Sequence, residues 1–397
     1  MKLCAVICEF NPFHNGHKYF LNEAKRLSGC DGVLCVMSGN FVQRAVPAAV
    51  DKYVRAEAAL MNGADIVAEL PALYATANAE YFAYGGVNIA SQFKDVTRLA
   101  FGCENPDIAL LTALAKIQND ETSEFKRLLS EQLNGGLPYA KSYAKATSLI
   151  AEKHNIPGSM SDIVLFRPNN LLAIEYIKQL LRCKSSVVPL CVKRVGGGYN
   201  DVTVGEGPAS AAAIRQKIAE GGADGLEEYI PENCLPTLLA QLKLHPQNDA
   251  VFDAFVIDAL TSKTLANLFD AGEGLENKLK KNAETLNTLT EIIDGTKSKR
   301  YTAGRIRRLC LQALLDINKN TPDTSVPLPV KLLGIKSDFR PHIARMPQTL
   351  IAQNSDYDKF DERYADVFRV EKRAANLYAV ITGRPRNAFY SCRPVII

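Results

Sequence analysis

The chain has 397 residues, 47% of them hydrophobic and 23% charged, with a formal net charge of +4. That length suits two domains and that composition a folded chain, which excludes disordered and low-complexity classes. No stretch approaches the roughly 20 apolar residues of a membrane span, and the apolar start meets Glu9 too soon for a secretory signal, so a cytoplasmic chain with no membrane partner is expected.

The first 100 residues alternate short apolar runs with helical periodicity, the pattern of βαβ units around a parallel sheet. Strands are predicted at Leu3–Cys8, Gly32–Ser38, Asp65–Leu70 and Thr97–Gly102, with helices near Gly16–Leu27, Asp51–Asn62 and Asn78–Ser91. Ligands of such sheets bind beyond the carboxyl ends of the strands, so the loops after Cys8, Ser38, Leu70 and Gly102 should face one site. From Asp107 to about Ala151 the pattern is helical, and Pro168-Asn169-Asn170 opens a further helix through Leu181. A fifth strand is predicted at Val187–Lys193, followed by the loop Gly196-Gly197-Gly198-Tyr199 and a helix from near Ser210 to Gly221-Gly222. That glycine pair is the expected boundary between a domain of residues 1–222 and a mainly helical domain of residues 223–397, with a small strand near Val330–Leu333. The ten cysteines are scattered without a CxxC pair, which predicts reduced, mostly buried thiols and no metal site.

The segment Glu9-Phe10-Asn11-Pro12-Phe13-His14-Asn15-Gly16-His17 lies between the first strand and the first helix. His14 and His17 are three apart, so at a helix start they face the same way, and Gly16 lets a phosphate approach the backbone. Open amides at that helix start would favour an anion, and imidazole donors strengthen their hold as charge builds at an α-phosphorus. That arrangement suits adenylyl transfer with pyrophosphate leaving. A metal pair or packing histidines are the alternatives, although a metal would want a further ligand and the segment offers only Glu9.

These residues resemble the HxGH nucleotidyltransferase superfamily, and Pro208 to Arg215 is similar to the helix start with which adenylyltransferases hold ATP phosphates, through Ser210 and Arg215. The threonine of that pattern is alanine here, and the alternative is a simple capped helix. More closely, the chain resembles the tRNA(Met) cytidine acetate ligase family. The likeness is carried by Glu9–His17, Ser38 to Arg44, Phe101-Gly102-Cys103-Glu104, Pro168-Asn169-Asn170, Lys193-Arg194 with Tyr199, and Lys297 to Thr302.

The resemblance implies an α/β fold: an open parallel-sheet nucleotidyltransferase domain of HUP or Rossmann-like type with a helical C-terminal domain. It also implies ATP as a substrate, acetate as the acid activated, and elongator tRNA(Met) as the acceptor, whose wobble cytidine becomes N4-acetylcytidine. His14 and His17 are then the catalytic pair. ATP contacts are implied for Ile7, Cys8, Glu9, Phe10, Asn11, Pro12, Phe13, His14, Asn15, Gly16 and His17, for Gly102 and Arg194, and for Asn169 in preference to Asn170. Asn40, Gln43 and Arg44 are candidates to hold the carboxylate or the incoming base.

Acetate does not acylate amines in water, whereas acetyl-adenylate has a good leaving group, and neither half of such a reaction needs a protein nucleophile. Positioning and charge stabilisation would carry the chemistry, with Mg²⁺ expected on the triphosphate and no protein partner required. Lys297, Lys299, Arg300, Arg305, Arg307 and Arg308 fall within twelve residues that contain no acid, with Tyr301 among them. They are the candidate RNA contacts, Tyr301 free to stack on a base, against the alternative of a merely solvated helix face. Two competing functions are a small-molecule adenylyltransferase of coenzyme biosynthesis and an RNA-binding protein with a decayed nucleotide site.

Overall fold

The computed structural model of the chain describes residues 1–104, 106–137, 139–156, 165, 167–193, 210–220, 225–321, 324–389 and 392–397. The chain runs through β1 (Leu3–Cys8), α1 (Asn15–Ser28), β2 (Gly32–Ser38), the hairpin β3 (Phe41–Val42) and β4 (Val46–Pro47), and α2 (Lys52–Met61). It continues with β5 (Ile66–Leu70), α3 (Ala72–Ala75), α4 (Ala79–Gln92) and β6 (Val96–Cys103). Helices α5 (Ile108–Asp120), α6 (Ser123–Asn134), α7 (Tyr139–Lys153) and α8 (Pro168–Arg182) precede β7 (Val188–Lys193) and α9 (Ala211–Ala219). Then come α10 (Leu235–Leu244), α11 (Asp249–Ser262), α12 (Leu275–Ala283), α13 (Leu289–Thr296) and α14 (Ala303–Leu315). The last elements are β8 (Val330–Ile335), β9 (Leu350–Ile351), α15 (Ala365–Ile381) and β10 (Val395–Ile396). The expected loop at Gly196–Tyr199 and the pair Gly221-Gly222 lie outside the described residues.

The five expected strands are present to within one residue at each end. They pair in parallel in the order β5-β2-β1-β6-β7. Alternate residues of each strand go to opposite faces. Leu3, Ala5, Leu34, Val36, Ile66 and Ala68 pack one way, with α4, α8, α11, α14 and α15. Cys4, Val6, Val33, Cys35, Met37 and Val67 pack the other way, with α1, α2, α9 and α10. Both faces are covered, which is why these strands read as unbroken apolar runs.

The strand expected near Val330–Leu333 is β8, and it joins this same sheet, antiparallel to β5, with β9 and β10 paired to it. The chain order reverses at β1, with β2 on one flank and β6 on the other, which opens a crevice beyond the carboxyl ends of these strands.

Candidate active site

A cavity of about 260 Å³ occupies that crevice. Ile7, Cys8, Glu9, Phe10, Asn11, His14, Gly16 and His17 line it from β1, the loop after it and the first turn of α1. Gln43 and Arg44 come from the hairpin after β2, Phe101 and Gly102 from β6, Asn169 and Tyr176 from α8, and Ser210 and Arg215 from α9. Most of the residues expected from the sequence therefore converge on one space. Pro12, Phe13 and Asn15 are not among its lining residues, and Arg194 lies outside the described residues.

The geometry of the histidine loop is set locally. His14 is the N-cap of α1, its Nδ1 accepting from the Gly16 amide at 3.1 Å. In the neutral ring this places the proton on Nε2. The His14 and His17 rings stack with centroids 3.7 Å apart, and His17 also packs on Phe10 and Phe13 at 4.9 and 5.7 Å. Phe10 has a left-handed φ of 49°, a conformation costing about 1–2 kcal/mol in a bulky L-residue, and its ring is buried against these neighbours.

One expectation needs correction: the first-turn amides of α1 are not open to an anion. Asn15 donates to the Tyr229 carbonyl at 2.7 Å, Gly16 to His14 Nδ1, and His17 and Lys18 to the His14 carbonyl at 2.8 and 3.2 Å. A second helix start, that of α9, also borders the cavity. Ser210 caps it, accepting from the Ala213 amide at 3.2 Å, while Ala211 and Ala212 of its first turn line the cavity. Arg215, one turn further on, is fixed by donation from its Nη1 to the Asn11 carbonyl at 2.7 Å. Capping and phosphate binding are compatible at a helix start, so Ser210 serves the first without being excluded from the second.

At the β6 side, Glu104 clamps the Pro-Asn-Asn turn. Its carboxylate accepts from Asn169 Nδ2 at 2.6 Å and from the Asn170 amide at 3.1 Å, while its own amide donates to Asn170 Oδ1 at 3.0 Å. Asn169 faces the cavity and Asn170 is fully buried. Lys193, which ends β7 and precedes Arg194 in sequence, also lines the cavity, as does Tyr176, whose ring lies 5.8 Å from that of Phe101 and which had no motif signal of its own.

Of the three candidates after β2, Gln43 and Arg44 line the cavity but Asn40 does not. It is 3% exposed, and its Oδ1 accepts from the Lys52 amide at 3.1 Å, which gives it a structural role at the start of α2.

Arg55 is the residue most clearly missed by sequence reasoning. It is 1% exposed. Its Nε donates to the Val50 carbonyl at 3.0 Å, its Nη1 to those of Glu9 at 2.6 Å and Ser38 at 3.0 Å, and its Nη2 to that of Gly39. One guanidinium thus ties together the chain after β1, the chain after β2 and the entry to α2. Glu9 links the same two loops, its Oε1 accepting from the Gln43 amide at 2.6 Å. Burial raises the Glu9 carboxyl above its ordinary value, opposed by that amide and by the charges of Arg215, Arg55 and Arg44.

The basic segment begins in a loop after α13 and enters α14, capped by Thr302. Lys297, Lys299, Arg300 and Arg307 are exposed. Tyr301, expected to be free to stack on a base, is buried, and its hydroxyl donates to the Glu273 carbonyl. Arg305 pairs with Glu273 at 2.8 Å and Arg308 with Asp270 at 2.9 Å. These three side chains fasten α14 to the preceding loop because the acids that the segment itself lacks are supplied by residues 270–273.

A nucleotidyltransferase of the HxGH type is what this sheet, with paired imidazoles at its switch point and a basic helix start opposite, defines. The family described as HIGH Nucleotidyl Transferase matches residues 1–390. A tRNA(Met) cytidine acetate ligase of Caldanaerobacter subterraneus subsp. tengcongensis is 41% identical over 322 residues, 80% of this chain and 79% of that one. One of Clostridium perfringens is 36% identical over the full length of both chains. The crystal structure of Thermotoga maritima TmcAL in its apo form superimposes with a TM-score of 0.94 at 28% identity, covering both chains completely. The form bound with alpha-thio ATP gives 0.91. The chain belongs to the HIGH nucleotidyl transferases and, among them, to the tRNA(Met) cytidine acetate ligase family.

Proposed function

We propose that the protein is an ATP-dependent acetate ligase. It activates acetate as acetyl-adenylate and transfers the acetyl group to N4 of the wobble cytidine of elongator tRNA(Met), giving N4-acetylcytidine. The observation that carries this reading is the convergence of His14, His17, Ser210, Arg215, Gly102 and Asn169 on one cavity, in a chain whose relatives bear the name of that ligase. Those names favour it over coenzyme adenylyltransfer.

In this reading the β6 flank, with Gly102, Asn169 and Tyr176, takes the adenosine. The start of α9 and Arg215 take the phosphates. The imidazoles of His14 and His17 meet the charge that grows as pyrophosphate leaves, with ring positions already fixed by capping and stacking, so no reorganisation is needed at the moment of reaction. Arg44 and Gln43 are assigned to the acetate carboxylate, and Arg194 joins the phosphate contacts. Glu9 is the one acidic side chain among the described residues lining the cavity, which is not a cage for a resident cation. The donor set fits Mg²⁺ carried in on the triphosphate and held mainly by its oxygens, where it would neutralise phosphate charge.

We assign nucleotide chemistry to residues 1–222 and tRNA binding to residues 223–397, through Lys297, Lys299, Arg300 and Arg307. No helix among the described residues is long and apolar enough to cross a membrane, and the assigned substrates are those of the cytoplasm.

The test is incubation with ATP, Mg²⁺, radiolabelled acetate and total tRNA. Base-stable label in a single tRNA, with acetate-dependent ATP–pyrophosphate exchange that His17→Ala abolishes while tRNA binding persists, is the expected result. Absence of both label and exchange would overturn the reading and direct attention to phosphorylated coenzyme precursors.

A further inference from the structure

The sheet order sorts the polar groups of the cavity. Gly102, Asn169 and Tyr176 lie on the β6 flank of β1, whereas Gln43 and Arg44 follow β2 on the other flank. With the nucleoside on the first flank and the phosphates at α9, the second is left for the acetyl group and for the amine that attacks it. Glu9, the first residue after β1, is tied to that second flank. Its Oε1 accepts from the Gln43 amide at 2.6 Å, and its carbonyl is held by Arg55 at 2.6 Å, which directs its carboxylate to the β2 side.

We propose that Glu9 is the general base of the acetyl-transfer step, taking the proton from the cytosine N4 amine as it attacks acetyl-adenylate; the assignment rests on the ligase reading above. The N4 lone pair is delocalised into the ring, so attack is productive only if a proton leaves as the new bond forms. The N–C bond forms at the acetyl carbon and one N4 proton passes to Glu9 Oε2. The C–O bond to the adenylate breaks with its electron pair remaining on the phosphate of AMP, and Glu9 later releases its proton to water. Burial makes this carboxylate a stronger base than an exposed one. The charged and titratable groups acting on it include Arg215 from α9, Arg55 from α2, Arg44 from the hairpin and the Cys8 thiol from β1; the imidazoles of His14 and His17 share the cavity and are assigned to the phosphates.

Glu9→Gln tests the assignment, because the isosteric amide still offers an oxygen to the Gln43 N–H. Two readouts are compared: acetate-dependent ATP–pyrophosphate exchange, and single-turnover transfer of labelled acetyl to tRNA(Met). Transfer is expected to fall by about 10²–10³-fold, at least tenfold more than exchange, and the acidic limb of its pH profile should disappear. Glu9→Asp should recover part of the transfer. Equal losses in both readouts, or an acidic limb that survives in Glu9→Gln, would overturn the assignment and leave Glu9 as a loop tether. Absence of exchange in the unaltered protein would remove the ligase reading and this assignment together, whereas proportional loss in the variant removes the assignment alone.

Discussion

Lys52, at the start of α2, is buried with its Nζ 2.5 and 2.7 Å from the two oxygens of Glu69 and 3.3 Å from Glu371. The Glu371 carboxylate also accepts from the Ala72 amide at 2.8 Å. Lys52→Met would leave two buried carboxylates facing each other with only Lys331 as a cation acting on both. Removing one partner of a buried ion pair costs about 3–5 kcal/mol, and Lys331 sets where in that range the loss falls. Burial and the charge of Lys52 hold the Lys331 ammonium down at about 8. Freed from Lys52, it keeps its proton more firmly and compensates in part.

The loss should depend on pH. Burial, then repulsion from Glu371, pushes Glu69 up to about 7 from an ordinary 4.5. A carboxyl raised in the folded state binds its proton there more tightly than in the unfolded chain. Its contribution to stability is therefore full below about 4.5 and is lost as pH rises through about 7. Without Lys52 that folded value climbs further, and each unit is worth about 1.4 kcal/mol. Urea unfolding should then show a smaller deficit for Lys52→Met at pH 5.5 than at pH 8.5, by about 1–3 kcal/mol. An equal deficit at both values, or one under about 1 kcal/mol at pH 8.5, would refute the reasoning.

Arg55→Lys keeps the charge but cannot reach four carbonyls from one planar group. It should cost about 3 kcal/mol or more in thermal or urea unfolding. At temperatures where the variant is folded, it should also lower acetate-dependent exchange at least tenfold, because the chain after β1 loses its tie to the chain after β2. In the basic segment exposed Arg307 and fastened Tyr301 should differ in effect. Arg307→Ala is expected to weaken tRNA binding in a filter assay and to flatten its salt dependence by about one unit of slope. Tyr301→Phe should leave affinity unchanged and lower stability by about 1 kcal/mol through loss of its hydrogen bond to Glu273.

What was legible in the sequence follows from the range of the interactions involved. β2 and β5 are buried along their whole length, and such strands declare themselves as short unbroken apolar runs. The histidine loop is legible because its residues act within one turn: His14 caps the helix that carries His17. Asn40 is ambiguous in the sequence for the same reason that it is useful. An asparagine in a loop suits a ligand contact or a cap equally well, and only the fold shows that α2 begins against it. The pairing of β8 with β5 spans more than 260 residues, and a six-residue apolar strand carries no mark of its partner. Lys52 and Arg55 had no signal of burial, since a cation on a helix is ordinarily solvated. Gly39 is similar: a Cβ there would lie 2.3 Å from Glu69 Oε1, a contact set by a side chain 30 residues away.

These long-range features share a location. The segment of residues 48–52, which leads into α2, receives a hydrogen bond at the Ala48 carbonyl from the Tyr378 hydroxyl at 2.9 Å and another from Gln247. Asp51, which caps α2, pairs with Arg384 at 2.9 Å. Ala49, which follows Ala48, donates its amide to Asn11 Oδ1 at 2.7 Å, and Asn11 stands in the histidine loop with its carbonyl against Arg215. The C-terminal elements are thus joined to the loop of His14 and His17 through one short stretch of backbone. Every link is a single hydrogen bond or ion pair between buried or half-buried groups, each costly to leave unmade. A shift of α15 relative to the sheet must either break one of them or carry the histidine loop with it. The same helix supplies Glu371 to the buried lysine beneath Gly39, so the chains after β1 and after β2 both report on its position. The half assigned to tRNA and the half assigned to ATP are therefore mechanically coupled at the carboxyl ends of β1 and β2, where the proposed chemistry takes place.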